Sequence, residues 1–484
     1  MKGGSLKVNF IMNMMLTMSS YIFFPLITFP YISRILLPAG MGKISFATSF
    51  ISYFVMVSEL GIPTYGIRAC ARVRDDKEEL TRVVHELLMI NLFMCVLSYV
   101  ALGIALKYIP RLQGDRELYV IISFTIVLNA IGMEWLYKAL EQYTYITIRS
   151  VIFKLIAILA MFLLIHKQQD YVMYGAISIF AGSASNILNF MNVRKYISMK
   201  WMGKYCLKRH FKPVLTFFAI ACAGTIYTSL DNVMLGFMTM DTEVGYYNVA
   251  IKIKSILASL VTSLGSVLLP RASYYVENGM MDDLKKITGK ALNFVFLMAS
   301  PLVVYFMAFA KESIFFLSGS AYESAVMPLI IIMPTVLFIG ITNLLGIQML
   351  VPLGRENILL YSVITGAVLD FIINAICIPR FASAGAAIGT LVAEFAVLVV
   401  QYRCLKQEIR KALISVHYQR ICAAIMAGLL LSVWTKYLRV HTFVILVISA
   451  VLFFAGYAMF LLFTKEPLVV EIKNDVARKI REWM

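Results

Sequence analysis

The sequence predicts an all-α integral membrane protein. Of its 484 residues, 60% are hydrophobic and only 15% are charged, and a soluble domain needs far more polar surface. The apolar residues stand in long blocks, and about 20 helical residues cross the roughly 30 Å hydrocarbon core of a bilayer. The blocks lack the ten-residue alternation of membrane β-strands. Fourteen spans are predicted, at 8–32, 44–66, 84–106, 118–137, 146–165, 171–192, 213–237, 245–269, 289–310, 326–350, 358–378, 384–402, 417–435 and 441–463.

Basic residues orient these spans. With the N-terminus in the cytoplasm, the cytoplasmic segments carry roughly three times as many Lys and Arg residues as the outer segments. The same bias accounts for the net charge of +17 without a nucleic-acid partner. Basic loops such as 67–83 and 194–212 are typical of contacts with anionic membrane lipids. We therefore expect a multi-pass protein with both termini in the cytoplasm.

Part of the chain is repeated. The turn at 39–47 aligns with the turn at 242–250 through its Gly and Ala positions, and each following span ends at a proline. Internal repeats of this kind place a transport route between two lobes. We therefore expect two six-helix lobes around a central cavity, followed by two C-terminal helices. The predicted parts are an N-terminal lobe at 1–193, a basic cytoplasmic linker at 194–212, a C-terminal lobe at 213–411, and spans 13 and 14 with a basic tail at 412–484.

Short motifs occur in order from residue 8 to roughly residue 400. They are FPLITFPYISR at 24–34, GIPTYGIR at 61–68, RDDK at 74–77, EW at 134–135, YITIRS at 145–150, SLD at 229–231 running on to GYY at 245–247, and LPR at 269–271. In these motifs the chain resembles the polysaccharide transporter family of Wzx-like oligosaccharide and O-antigen flippases. That family belongs to the multidrug/oligosaccharidyl-lipid/polysaccharide exporter superfamily.

The resemblance implies a function. A flippase of this family moves an undecaprenyl-diphosphate-linked oligosaccharide repeat unit from the inner to the outer leaflet by alternating access. The product serves capsule, exopolysaccharide or O-antigen synthesis, so the polysaccharide polymerase and chain-length machinery are implied partners. The implied location is the bacterial cytoplasmic (inner) membrane. No catalytic residue, metal or bound cofactor is expected, and a proton or sodium gradient would drive transport.

Three other functions stay open at this point. An ion-coupled multidrug antiporter would favour an acidic cavity and usually twelve spans. A peptidoglycan-precursor lipid flippase would share the fourteen spans and the cationic cavity. A membrane polysaccharide polymerase belongs to a different class, and would need a large outer loop that the predicted spans do not leave. The chain also lacks the GxxxxGK[ST], HExxH and GxSxG motifs, and its seven cysteines have no metal-ligand spacing.

Cations within spans are candidates for binding the diphosphate, because an ionised residue there costs about 2.5–3.5 kcal/mol to insert. Lys252 and Lys254 lie in span eight, although both could instead reach out to the interface. The other candidates are Arg34, Arg149 and Lys154. Arg34 could equally be an ordinary helix-end cation.

The hairpin of spans four and five has a structural alternative. Glu134 could pair with Lys154 and neutralise both charges at depth. In that case Lys154 would hold the hairpin together and would not bind substrate.

Four acids within spans are candidates for ion coupling: Glu59, Asp231, Asp370 and Glu394. Desolvation favours proton uptake by a buried carboxyl group, and hydrogen bonding between helices is the alternative role. Amides at span positions, among them Asn129, Asn186 and Asn374, are interpreted as hydrogen-bonding groups between helices. Pro25 and Pro30 are candidate hinges in span one, with a static kink as the alternative.

Overall fold

The computed structural model describes residues 6–263, 265–414, 416–470 and 473, and these residues form helices without a strand. The chain folds into two compact units, unit 1 at Met1–Gly245 and unit 2 at Tyr246–Met484. The first eleven helices are α1 Leu6–Met18, α2 Phe24–Glu59, α3 Ile62–Arg72, α4 Lys77–Tyr108, α5 Pro110–Gln113, α6 Arg116–Gly132, α7 Glu134–Ala139, α8 Tyr143–Leu164, α9 Tyr171–Ile179, α10 Asn186–Asn192 and α11 Lys208–Met238. The others are α12 Asp241–Thr262, α13 Gly265–Glu277, α14 Met281–Ala308, α15 Ala310–Ser318, α16 Val326–Ile332, α17 Thr335–Leu345, α18 Glu356–Ile414, α19 Tyr418–Ser432 and α20 Thr442–Phe463.

The predicted all-α membrane fold is confirmed. Every one of the fourteen predicted spans coincides with one or more helices. Among the described residues, ten helices are long and apolar enough to cross a membrane, or eleven if the bent pair Ser320–Ile332 and Thr335–Leu350 forms one span. Two of these helices are far longer than one crossing requires, so the number of crossings exceeds the number of continuous helices.

Helix α18 contains two spans. A straight helix of its 59 residues would be about 90 Å long, three times the hydrocarbon thickness. The helix breaks at Ala382, where φ is 47° and ψ is −124°. Beyond the break it folds back, because Gln401 Nε2 donates a hydrogen bond to Ser362 Oγ, 39 positions earlier, at 3.1 Å. The two arms therefore form a hairpin.

Helix α2 breaks at Leu37, where φ is 58° and ψ is 175°. The next residue is Pro38, and a proline ring disfavours the helical conformation of the residue before it. Of the two predicted hinge prolines, Pro25 lies in the first turn of α2, where a missing N–H costs little, and Pro30 lies inside the helix. The non-helical backbone is thus at Leu37. The hinge role of Pro25 and Pro30 remains a prediction.

A buried carboxylate fixes the segment predicted as a linker. Glu86 of α4 is fully buried and accepts hydrogen bonds from His210 Nε2 at 2.7 Å, Arg209 Nε at 2.8 Å and the Cys206 backbone N–H at 2.6 Å. Arg209 also donates to Glu79 Oε1 at 2.6 Å. The basic end of the segment is therefore packed on α4 within unit 1.

Within unit 1, the first repeated turn packs against the segment that ends at Gly245. A Cβ atom on Gly42 would lie 1.7 Å from the Asp241 carbonyl oxygen, and one on Gly245 would lie 2.1 Å from the Pro38 carbonyl oxygen. The offset that aligns Gly42 with Gly245 also aligns Pro38 with Asp241. The contacts are thus reciprocal, as expected for two equivalent turns, and each requires a residue without a side chain.

We expect Gly42→Ala and Gly245→Ala each to destabilise the protein by about 1–3 kcal/mol, because the added methyl group would overlap backbone atoms that cannot move independently. Thermal unfolding of detergent-solubilised protein would measure the effect. Gly103→Ala is the matched control, since a Cβ there meets no atom within 4 Å and alanine favours a helix. Equal melting temperatures for the Gly42 and Gly103 variants would contradict the close approach of the turns.

Candidate functional site

A polar network of buried and half-buried side chains joins four helices of unit 1. Asn129 Nδ2 on α6 donates to Glu59 Oε1 at the end of α2, at 3.1 Å. Asn186 Nδ2 at the start of α10 donates to Asn129 Oδ1 at 3.4 Å. Arg149 Nη1 on α8 donates to Asn186 Oδ1 at 3.3 Å. Glu59, a predicted coupling acid, and Arg149, a predicted diphosphate-binding cation, are therefore linked through the amides of Asn129 and Asn186.

Close packing of α6 and α10 creates this network. A Cβ on Gly132 would lie 2.5 Å from Asn186 Cγ, so only glycine lets the asparagine fit there. Asn189 Nδ2 donates to the Gly132 carbonyl oxygen at 2.8 Å. The π-helix Phe180–Ala184 precedes α10, and its Ser183 hydroxyl donates to Asn129 Oδ1 at 3.2 Å. Such π segments inside helices are frequent at functional sites.

Helix α8 carries two buried cations, Arg149 (6% exposed) and Lys154 (8% exposed). Arg149 Nη1 donates to the Ser185 carbonyl oxygen at 2.5 Å, and Lys154 Nζ donates to the hydroxyls of Ser19, at 3.1 Å, and Ser20. In the described part of the chain, no carboxylate lies within 4 Å of either cation, and Arg149 Nε has no hydrogen-bond partner. Neutral partners solvate these charges without neutralising them, and a bound anion would neutralise them.

The expected ion pair between Glu134 and Lys154 is wrong. Glu134 Oε1 instead accepts from Lys138 Nζ at 2.8 Å, one turn along the short helix α7. The cause is Met133, whose left-handed backbone (φ 42°, ψ 39°) ends α6 and starts a separate helix. Lys154 therefore donates its hydrogen bonds to the serine hydroxyls and not to Glu134.

The other predicted cations lie apart from these contacts. Arg34 is exposed on α2, and Lys252 and Lys254 are half-buried on α12 in unit 2. None of the hydrogen bonds described above involves these three residues. Asp231 is buried on α11 within unit 1, where the neighbouring Asn232 Nδ2 donates to Ser49 Oγ on α2 at 3.1 Å. Their predicted roles in binding and coupling remain predictions.

Unit 2 has its own buried polar cluster in the α18 hairpin. Asp370 (2% exposed) and Asn374 (0%) lie one turn apart on its first arm, and Glu394 (5%) lies on its second arm. Between the arms, a Cβ on Gly389 would lie 2.1 Å from Asn374 Oδ1 and 2.9 Å from Asp370 Oδ1. The adjacent Thr390 hydroxyl is 2.7 Å from the Tyr247 hydroxyl. Two predicted coupling acids thus belong to one hairpin.

The sequence does not predict the serine partners of Lys154 or the placement of the amides between Glu59 and Arg149. Ser19 and Ser20 are ordinary residues in an apolar stretch, and they face Lys154 because the π-helix Ser19–Phe23 starts there. Asn129 and Asn186 were expected to join helices, and they do so. Their placement between Glu59 and Arg149 depends on tertiary packing, so spacing along the chain does not reveal it.

Comparison with known proteins gives a family match. Residues 6–276 match the family described as polysaccharide biosynthesis protein, which is more than half of the chain. A protein of Escherichia coli (strain K12) named "Putative O-antigen transporter" is 25% identical over 406 residues. That alignment covers 81% of this chain and 94% of the Escherichia coli protein.

Solved structures share the fold. One, titled "Lipid II flippase MurJ, inward closed conformation", aligns with a TM-score of 0.72 and 16% identity, covering 94% of this chain and 99% of that one. Another is the inward-facing conformation of a multidrug resistance MATE family transporter of the MOP superfamily. It aligns with a TM-score of 0.65 and 15% identity, covering 85% of this chain and all of that one. At these identities the likeness concerns the fold alone.

We expect Gly389→Ala to destabilise the hairpin by about 1–3 kcal/mol, because the methyl group would displace the fully buried Asn374 amide. The measurement is thermal unfolding in detergent, with Gly224→Ala as the control at a helix position open to its surroundings. Adding Asn374→Ala to Gly389→Ala should recover part of the loss, since it removes the overlapping atom. A double variant with purely additive losses would contradict this packing.

Proposed function

We propose that this chain, which belongs to the polysaccharide biosynthesis protein family, is a flippase that carries a polyprenyl-diphosphate-linked oligosaccharide from the inner to the outer leaflet. The chain is a multi-pass membrane transporter and not an enzyme, which removes the polymerase alternative. The name of the Escherichia coli relative supports a substrate from O-antigen synthesis. The observation that carries the proposal is the pair of buried cations, Arg149 and Lys154.

The substrate explains why such cations are kept. A diphosphate carries about two negative charges and cannot enter hydrocarbon alone, since an isolated ion pays tens of kcal/mol in a low dielectric. The polyprenyl tail can stay in the lipid while the headgroup moves. Arg149 and Lys154 lie 5 residues apart on α8, about 7.5 Å along its axis and about 140° around it, so they would meet the headgroup from different sides of the helix. Guanidinium and ammonium groups are the usual phosphate partners in proteins.

The amide chain offers a route for ion coupling. Asn129 donates to Glu59, and its carbonyl oxygen accepts from Ser183 and Asn186. Protonation of Glu59 would turn its accepting carboxylate oxygen into an O–H donor, which would favour rotation of the Asn129 amide. Asn186, which hydrogen-bonds both Asn129 and Arg149, would pass that change to Arg149. Hydrogen-bonded side chains in a protein interior polarise one another in this way. Proton uptake at Glu59 would thus alter the hold of Arg149 on the headgroup.

The test is export in the native host after deletion of the gene and complementation at matched protein levels. We expect deletion to remove surface polysaccharide and to accumulate the lipid-linked repeat unit on the cytoplasmic side. Arg149→Gln with Lys154→Gln should lower export at least tenfold, since each lost charge-assisted hydrogen bond is worth about 1.5–3 kcal/mol. Arg194→Gln with Lys195→Gln is the charge-matched control at exposed positions and should export normally.

Three outcomes would overturn the proposal. Normal export by the double variant of Arg149 and Lys154 would remove these cations from the headgroup site. Unchanged surface polysaccharide after deletion, together with new sensitivity to cationic drugs, would instead favour the multidrug antiporter. Accumulation of peptidoglycan precursor in place of the oligosaccharide repeat unit would favour the peptidoglycan-precursor lipid flippase.

A further inference from the structure

A cavity of about 640 Å³ opens in unit 2 beside the first turns of α14. Its walls come from the start of α14, the end of α18 with His417, and the residues after α20. The sequence predicts all three segments on the cytoplasmic side, just beyond the ends of spans. The cavity is therefore expected at the depth of the lipid headgroups, and its size is typical of a small-molecule site.

One face of α14 makes this cavity basic. Lys285, Lys286 and Lys290 line it, and helical geometry places all three within an arc of about 140°. Gly289 lies inside the same arc and has no side chain, so it leaves room between the ammonium groups. Asp282 on this wall contacts Lys285 at a loose 3.5 Å, and the adjacent Asp283 contacts Lys286 at 3.6 Å, which leaves an excess of one cation. The wall keeps a net positive charge and favours an anion.

A second observation points to a ligand with a hydroxyl group. Asn293 lines the inner end of the cavity and is 7% exposed. Its Nδ2 donates to Oε1 of the fully buried Glu466 at 2.8 Å, and this bond fixes the amide orientation. Its Oδ1 accepts no hydrogen bond from the residues that the structure describes. A buried acceptor without a donor is costly, and a ligand hydroxyl would satisfy it.

We propose that this cavity binds the headgroup of a hydroxyl-bearing anionic phospholipid, with the phosphate on the three lysines and a headgroup hydroxyl on Asn293 Oδ1. A phosphate diester carries one negative charge, which matches the excess of cations on the wall. A phosphatidylglycerol headgroup supplies both the phosphate and the hydroxyls. The site lies in unit 2 and uses none of the residues assigned to the transported headgroup, so it does not rest on the proposed function.

The test uses the full chain in phosphatidylcholine nanodiscs with added phosphatidylglycerol. We expect phosphatidylglycerol to raise the melting temperature and to be retained in native mass spectra. Lys285→Gln, Lys286→Gln and Lys290→Gln together should lower its retention at least tenfold. The control changes Lys107, Arg116 and Lys167 to Gln, which removes equal charge from exposed positions outside the basic loops. Equal retention by the two triple variants would overturn the site.

Ligand analogues separate the parts of the proposal. Phosphatidylethanol has the same phosphate charge and no headgroup hydroxyl, so we expect several-fold weaker retention of this lipid. Equal retention of phosphatidylethanol and phosphatidylglycerol would overturn the contact with Asn293. Inorganic phosphate at millimolar concentration should neither stabilise the protein nor displace the lipid. An equal melting shift with inorganic phosphate would overturn the assignment to a lipid. Export measured in the host is a separate readout, so this site and the flippase proposal can fail independently.

Discussion

The cost of exposing polar groups to hydrocarbon governs this structure. In a bilayer every backbone N–H and C=O must be satisfied within the protein, so membrane spans are helices, and irregular backbone is tolerated only where protein or a wet cavity surrounds it. The interruptions at Leu37 and Ala382 separate consecutive spans. The π segments at Ser19–Phe23 and Phe180–Ala184 lie inside predicted spans, and both adjoin hydroxyls that serve the polar side chains of unit 1. These four departures from regular helix coincide with turns or with polar contacts.

The same cost explains how the buried cations are held. A carboxylate beside Arg149 or Lys154 would stabilise the charge, but it would also compete with any anion that arrives later. Hydroxyls, a carbonyl oxygen and an amide oxygen solvate the cations and keep their charge available. Breaking a buried ion pair is strongly unfavourable, whereas displacing a neutral acceptor is less so. The proposed binding and release of an anionic headgroup would need such intermediate solvation.

The membrane-spanning helices could be predicted from the sequence because the bilayer fixes their length and composition. It also located the equivalent glycines, Gly42 and Gly245, whose reciprocal contacts the structure shows. It failed for Glu134, because the left-handed residue Met133 ends α6 and starts the separate short helix α7, in which Glu134 pairs with Lys138. Contacts such as Lys154 with Ser19 join positions 135 apart, and no local pattern encodes which faces of α1 and α8 meet.

Both polar clusters place an amide beside an acid, and glycine makes the room. In unit 1, Gly132 admits Asn186, which hydrogen-bonds Asn129 beside Glu59. In unit 2, Gly389 faces Asn374 and Asp370. An amide contains both a donor and an acceptor, so it can hydrogen-bond a carboxylate or, after rotation, a carboxylic acid. A carboxylate held by arginine would lose its partner interaction on protonation, whereas one held by asparagine would not. In the proposed coupling, Asn129 would rotate its amide when Glu59 takes up a proton, and the acceptor withdrawn from Ser183 and Asn186 would carry the change onward.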